Sequence, residues 1–263
     1  VTTASRWIEL DGADNVRDLG GLRTADGRTV QPHRLIRADS LQALTPTDVR
    51  RLVDEMQVRA VADLRTGVEL ESEGPGPMSE EPAVEIKHFS LFPEADAPEN
   101  AEGPVVLPWQ TRDRGADPAR RRGTPGIYLQ YLEGRADSVL AALRLIAHTD
   151  GATVVHCAAG KDRTGVVIAL ALAEVGVRPA DIVADYVLSA DRIEAIMTRL
   201  AGRPTYAADI AAHPDFDKHK PRPATMEQLL GAIDELHGGV PAWLRAHGWT
   251  EQDAAALRAR LLD

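Results

Sequence analysis

The ten residues His156-Cys157-Ala158-Ala159-Gly160-Lys161-Asp162-Arg163-Thr164-Gly165 constrain this chain more than any other stretch. They contain the only cysteine in the 263 residues. Ahead of it, the β-branched run Thr153-Val154-Val155 reads as a short buried strand; behind it, the aliphatic, alanine-rich run from Val166 to Val175 reads as a buried helix. The thiol therefore sits on a tight strand-to-helix turn, with an arginine six positions later on the first turn of the helix. Such a turn is a phosphate cradle with sulfur at its floor.

Each residue type suits that chemistry. A free thiol, with a pKa of about 8.5, ionises far more readily at a helix N-terminus among cationic groups. The first-turn N–H groups are donors without intrahelical partners and carry the positive end of the helix dipole, so the same amides that favour a thiolate also hold phosphate oxygens. Gly160 lets the loop curl and its amides approach a ligand. Arg163 presents a planar fork that matches two phosphate oxygens. The implied reaction has two steps: Cys157 attacks phosphorus and forms a phosphocysteine, which water then hydrolyses. The backbone of Ala158, Ala159, Gly160 and Lys161 is expected to bind the substrate phosphate, and Thr164 to donate its hydroxyl to the sulfur as it leaves. The scheme needs no metal and no cofactor. Gly160-Lys161 does not make an ATP-binding loop, because Val155 stands where a Walker loop needs glycine and Asp162 where it needs Ser or Thr.

The loop resembles that of the cysteine-dependent protein tyrosine phosphatases, whose motif is His-Cys-x5-Arg-Ser/Thr. Gly-Lys-Asp-Arg-Thr-Gly narrows the likeness to the bacterial PtpB-like tyrosine/serine and phosphoinositide phosphatases. Asn15-Val16-Arg17-Asp18-Leu19-Gly20-Gly21, Arg34-Leu35-Ile36-Arg37-Ala38-Asp39-Ser40, Asp63-Leu64-Arg65 and Ile182-Val183-Ala184-Asp185-Tyr186 extend it over nearly the whole chain. The resemblance implies an α/β, protein-tyrosine-phosphatase-like fold: a central, mostly parallel sheet flanked by helices, with a helical lid and C-terminal helices. It implies one phosphatase domain over residues 1–263 with a lid insertion around 189–225. It makes Cys157 the nucleophile, Arg163 the phosphate ligand and Asp162 the candidate general acid, with Asp63 and Asp96 as alternatives. Lys161 is a candidate contact to a second phosphate, which would fit a phosphoinositide, and His156 is expected to orient the loop. The expected partner is a phosphorylated protein or a phosphoinositide. A phosphate-binding module without activity, and sulfur transfer on the same kind of loop, are the competing readings. Arsenate reduction typically needs further redox cysteines, which this chain lacks.

Composition bounds the rest. With 30 Lys and Arg against 40 Asp and Glu, the net charge is −10, which argues against nucleic acid as partner. Positive charge for a phosphorylated substrate must then be local; Arg112, Arg114, Arg120-Arg121-Arg122 and the group Lys218, Lys220, Arg222 are the candidates, although charge runs usually serve solubility. A single cysteine excludes an intrachain disulfide and fits a reducing compartment. No apolar run reaches the ~18 residues of a membrane span, and Val1 to Leu10 does not read as a signal peptide. The expected location is the cytoplasm, with secretion without a classical signal as the alternative.

Along the chain, Gly20 to Val30 reads as a hairpin around Asp26-Gly27, and Arg34 to Ala38 as a short strand. Thr45-Pro46 opens a helix toward Met56. Val58 to Leu64 and Val84 to Leu91 read as strands, and 92–125 as a long loop. Ile127 to Ala147 reads as one helical run, and Pro179 to Leu200 as further helix. Residues 202–223, with Pro204, Pro214, Pro221 and Pro223, read as irregular. Helices resume from Met226, with Trp243 and Trp249 as core anchors.

Overall fold

The computed structural model describes residues 6–93, 107 and 123–263. The strands are β1 (Arg17–Asp18), β2 (Leu35–Ala38), β3 (Val58–Asp63), β4 (Glu85–His88) and β5 (Ala152–His156), in the sheet order β1-β2-β5-β3-β4. β1 pairs antiparallel with β2, and every other pairing is parallel. β5 is buried at all its positions, as a central strand covered on both faces must be. Its side chains alternate between two cores: Ala152 and Val154 join Ile36 and Val61 on one face, while Val155 joins Leu35 and Ala62 on the other. The edge strand β4 exposes Glu85 and Lys87, which protects it from pairing with another chain.

Parallel pairing brings the carboxyl ends of the strands to one edge of the sheet. Ala38 and Asp63 both stand in register with His156, and His88 with Asp63. The crevice beyond those ends is where an open α/β sheet binds its ligand, and the cysteine turn opens into it.

The helices are α1 (Pro46–Arg50), α2 (Gly67–Glu73), α3 (Gly123–Gly134), α4 (Ala136–His148), α5 (Asp162–Glu174), α6 (Pro179–Leu188), α7 (Ile193–Ala201), α8 (Pro204–Ala212), α9 (Pro223–His237), α10 (Val240–Ala246) and α11 (Glu251–Leu261). α5 is buried on all sides, as its sequence requires, and starts at Asp162, inside the cysteine stretch. Thr45 caps α1 in a capping box with Asp48, Pro46 takes the first position, and the chain continues through a wider π turn at Arg51–Glu55. Trp243 and Trp249 are both buried in the core beneath the C-terminal helices.

Two expectations are corrected. The run from Ile127 to Ala147 is two helices, not one. Arg135 leaves helical geometry at φ −142°, ψ 42°, and its guanidinium turns aside to the Phe92 carbonyl at 2.9 Å. Residues 202–223 are not irregular throughout. Pro204 occupies the first turn of α8, where its missing N–H costs nothing, and Asp215 caps a 3₁₀ turn at Phe216–His219. α7 and α8 share a separate apolar cluster with Ala158 of the cysteine turn. Among the described residues, no helix is long and apolar enough to cross a membrane.

Candidate active site

The cradle is built by pinning its carbonyls outward. Ala158 O accepts the Ser40 amide at 3.0 Å, Ala159 O accepts Asn15 Nδ2 at 2.9 Å, and Gly160 O accepts an Arg37 guanidinium nitrogen at 2.8 Å. In a planar trans peptide the N–H points opposite the C=O. The amides of Ala159, Gly160 and Lys161 are therefore turned away from those three partners. Gly160 has φ 63°, and a Cβ there would lie 2.4 Å from the Ala38 carbonyl oxygen, so no other residue fits.

Behind these anchors lies a buried ionic network. Asp185 receives Arg37 at 2.7 Å, Arg6 at 2.9 Å and Arg17 at 3.1 Å. Arg17 also donates to Asn15 Oδ1 at 2.6 Å, and Asn15 reaches Ser189 Oγ at 3.1 Å. Burial works against the Asp185 charge, but the three guanidinium groups hold its carboxyl well below the usual range. Burial and the neighbouring Arg37 lower Arg17 to about 9, against which Asp185 works.

Cys157 is almost fully buried at the end of β5. Arg163, on the first turn of α5, is gripped by Glu69 of α2 in a fork at 2.5 and 2.9 Å. Glu69 is itself buried and closes the capping box of α2, accepting the Thr66 amide at 2.8 Å, while its Oε1 takes the Tyr206 hydroxyl of α8 at 3.0 Å. Burial opposes the Arg163 charge, but Glu69 and the Cys157 sulfur outweigh it and hold the guanidinium well above its ordinary range. A cavity of about 660 Å³ opens over the cradle, floored by Cys157 and walled by Ile127, Met197, Leu200 and Ile210.

A thiol under pinned amides, with a fixed arginine beside it, is apparatus for phosphate esters, and the comparisons agree. The model of the tyrosine phosphatase family matches residues 8–263. The chain belongs to the tyrosine phosphatase family. It is a protein-tyrosine phosphatase, a phosphoric monoester hydrolase. It is 28% identical to the triple specificity protein phosphatase PtpB of Mycobacterium tuberculosis over 97% of this chain and 98% of that protein. A protein of Cupriavidus necator is 29% identical over 97% of this chain and 88% of its own length. A tyrosine-protein phosphatase of Nostoc commune is 34% identical over 45% of this chain and 42% of its own.

In this family member the candidate acids are placed very differently. Asp162 lines the cavity, and its side chain is 33% exposed. Tyr128 of α3 donates its hydroxyl to Oδ1, and Lys161 Nζ stands 3.4 Å from Oδ2. Asp63 is not placed as a general acid. Its register beside His156 puts it within the sheet edge, where Arg65 donates to both oxygens and His156 Nε2 lies 3.5 Å away. Although burial opposes its charge, His156 and Arg65 hold this carboxyl far below the usual range. Asp96, Arg112, Arg114 and Arg120 to Arg122 lie outside the described residues.

Three other expectations meet different geometry. Lys161 donates its ammonium to the His219 carbonyl at 2.7 Å. Among the described residues, the buried Thr164 Oγ1 has no hydrogen-bond partner, the Cys157 sulfur included. Lys218 and Lys220 pair with Asp215 and Asp217, and Arg222 donates to the Asp217 carbonyl, so this cluster is largely neutralised on the spot. His156 Nδ1 lies 3.3 Å from the Cys157 carbonyl, next to the nucleophile. Glu69, Tyr128 and Tyr206 escape a reading of the sequence. Only Glu69 leaves a local signal, the spacing Thr66-x-x-Glu69 of a capping box.

Proposed function

We propose that the protein hydrolyses phosphotyrosine through a phosphocysteine intermediate, with Asp162 as both acid and base. The observation that carries this reading is the cradle itself: three carbonyls pinned outward, a buried thiol beneath, and Arg163 fixed by Glu69 beside it. The Cys157 thiolate attacks phosphorus; the S–P bond forms as the P–O bond to tyrosine breaks, and Asp162 gives its proton to the phenolic oxygen. Water then attacks phosphorus, Asp162 takes up a proton, the S–P bond breaks and phosphate leaves. The preformed amides and Arg163 stabilise the equatorial oxygens in both steps.

Phosphoserine, phosphothreonine and phosphoinositides are further substrates in this reading, supported by the triple specificity in the name of the mycobacterial relative. Lys161 in its present place does not add to the phosphoinositide case, since it is engaged with His219. Residues 189–225 act as a lid over the cavity within one phosphatase domain. Support comes from Met197, Leu200 and Ile210, which wall the cavity, and from Tyr206 and His219, which reach Glu69 and Lys161.

The test is turnover of an aryl phosphate with rapid acid quench. Cys157→Ser abolishes it, and Asp162→Asn accumulates an acid-stable, cysteine-linked phosphoryl group. Retained turnover in Cys157→Ser would sink the mechanism. Thiosulfate turnover without phosphatase activity would support sulfur transfer instead.

A further inference from the structure

An acid that sits on the same helical turn as the cradle cannot be brought up by a moving loop. Its direction must be set by what surrounds it. Among the described residues, the polar groups that face Asp162 are Lys161 beside it, the phenols of Tyr128 and Tyr131 on α3, and that of Tyr186 on α6. Among the described residues, only Tyr128 donates a hydrogen bond to the carboxylate, and Lys161 Nζ stands 3.4 Å from Oδ2.

We propose that Tyr128 is a positioning residue for the reaction: it holds Asp162 by Oδ1, so that Oδ2 is the oxygen that gives up the proton and takes it back. The inference rests on the reading of Asp162 as the acid. Tyr128 is fully buried, and its ring is clamped from two directions, stacked on Tyr131 at 6.0 Å and edge-on to Tyr186 at 6.4 Å. Its oxygen lies 2.8 Å from the Tyr186 hydroxyl. A phenol has one proton to donate. Burial, followed by Asp162 and Tyr186, holds Tyr128 well above the ordinary phenol range, so that proton stays on the oxygen. Given to Oδ1, it leaves Tyr128 as acceptor from Tyr186. The result is a directed chain, Tyr186 to Tyr128 to Asp162, anchored on two helices other than the one that bears the acid.

The chain does two things. It fixes the carboxyl rotamer, so the reacting oxygen waits over the cradle instead of searching for it. It also gives the ionised carboxylate, the form needed as base in the second step, a fixed hydrogen-bond donor.

The experiment compares pH profiles of kcat/KM for phenyl phosphate, a poor leaving group, and para-nitrophenyl phosphate, an activated one. Tyr128→Phe keeps the ring packing and deletes the donor. The expected loss is about 10-fold for phenyl phosphate and about 2-fold for the activated ester, a part of the total acid effect. The basic limb of the profile moves up by about one pH unit, because the carboxylate has lost a stabilising donor. Tyr186→Phe leaves the bond to Asp162 in place but weakens it, and moves the limb the same way by less. In an Asp162→Asn background, Tyr128→Phe changes leaving-group dependence no further. Equal losses on both esters with an unmoved limb would overturn the proposal for Tyr128 alone. If Tyr128→Phe fails to fold, an unmoved limb in Tyr186→Phe overturns it. If Asp162→Asn slows both esters equally, the reading of Asp162 as acid fails instead, and the two failures are told apart.

Discussion

Replacing Glu69 with glutamine keeps the shape of one side chain and removes one charge, at a point where four donors converge. Oε2 accepts the Thr66 amide and one Arg163 nitrogen; Oε1 accepts the other Arg163 nitrogen and the Tyr206 hydroxyl. An amide group retains one acceptor oxygen, so its nitrogen must face donors on the other side. More costly is the arginine. Arg163 is 6% exposed, and among the described residues Glu69 is a counter-charge bonded to both arms of its fork. Removing one charge of a buried pair costs about 3–5 kcal/mol, whereas the capping box itself accepts glutamine. Against a total stability of about 5–15 kcal/mol for a domain, Glu69→Gln should fold but lose a large fraction of its margin.

Urea titration measures this directly. The midpoint falls while the slope m is unchanged, since the surface exposed on unfolding is the same. Inorganic phosphate, by supplying a negative charge to Arg163, stabilises the variant more than the parent. The pH dependence separates charge from shape. Burial opposes ionisation of Glu69, but Arg163 wins, and the folded carboxyl lies below its ordinary value. A depressed acid contributes stability that is present above the unfolded pKa, about 4.3, and is lost as pH falls through the folded value. The parent therefore converges on Glu69→Gln in acid and separates from it as pH rises from the lower folded value toward about 4.3, above which the difference is complete. A loss under about 1 kcal/mol at pH 7, with phosphate stabilising both proteins equally, would refute the claim that Glu69 compensates Arg163.

Two substitutions probe the cradle itself. Gly160→Ala combines an unfavourable φ of 63° with a Cβ 2.4 Å from the Ala38 oxygen, so stability falls by about 1–3 kcal/mol and inhibition by orthovanadate is lost; wild-type inhibition would show that the loop tolerates another shape. Asn15→Ala strips the anchor from the Ala159 carbonyl and leaves an Arg17 nitrogen without its partner, which should cost about 1–3 kcal/mol and lower kcat/KM for aryl phosphates about 10-fold; unchanged kinetics would show that the carbonyl needs no anchor.

Local chemistry made parts of this protein readable from its residues. The strand, the turn and the buried helix around Cys157 follow from a β-branched run, a glycine and an all-aliphatic run, each of which has few alternatives. Thr45-Pro46 likewise marked the start of α1. The breaks were harder. Gly134 is a stop signal, but the apolar period continues across it, so α3 and α4 read as one helix; in the structure Arg135 leaves helical geometry and its guanidinium turns to the Phe92 carbonyl. Pro204 looked like a loop residue because proline breaks helices in their interior, whereas here it begins one.

The motifs that mean little singly show the division most clearly. Asn15, Arg17, Arg37 and Asp185 are separated by up to 170 residues, yet they meet as one buried network behind the cradle. Sequence alone determined the reaction class, because nucleophile, cradle and arginine fall within a single turn whose geometry is local. Only the tertiary structure decided which groups support them. It placed Asp63 beside His156, set Glu69 on Arg163, and set Tyr128 on Asp162. The physical reason is that a buried charge must find its partner in space, and in this fold those partners come from other strands and helices that the chain reaches only by closing the sheet.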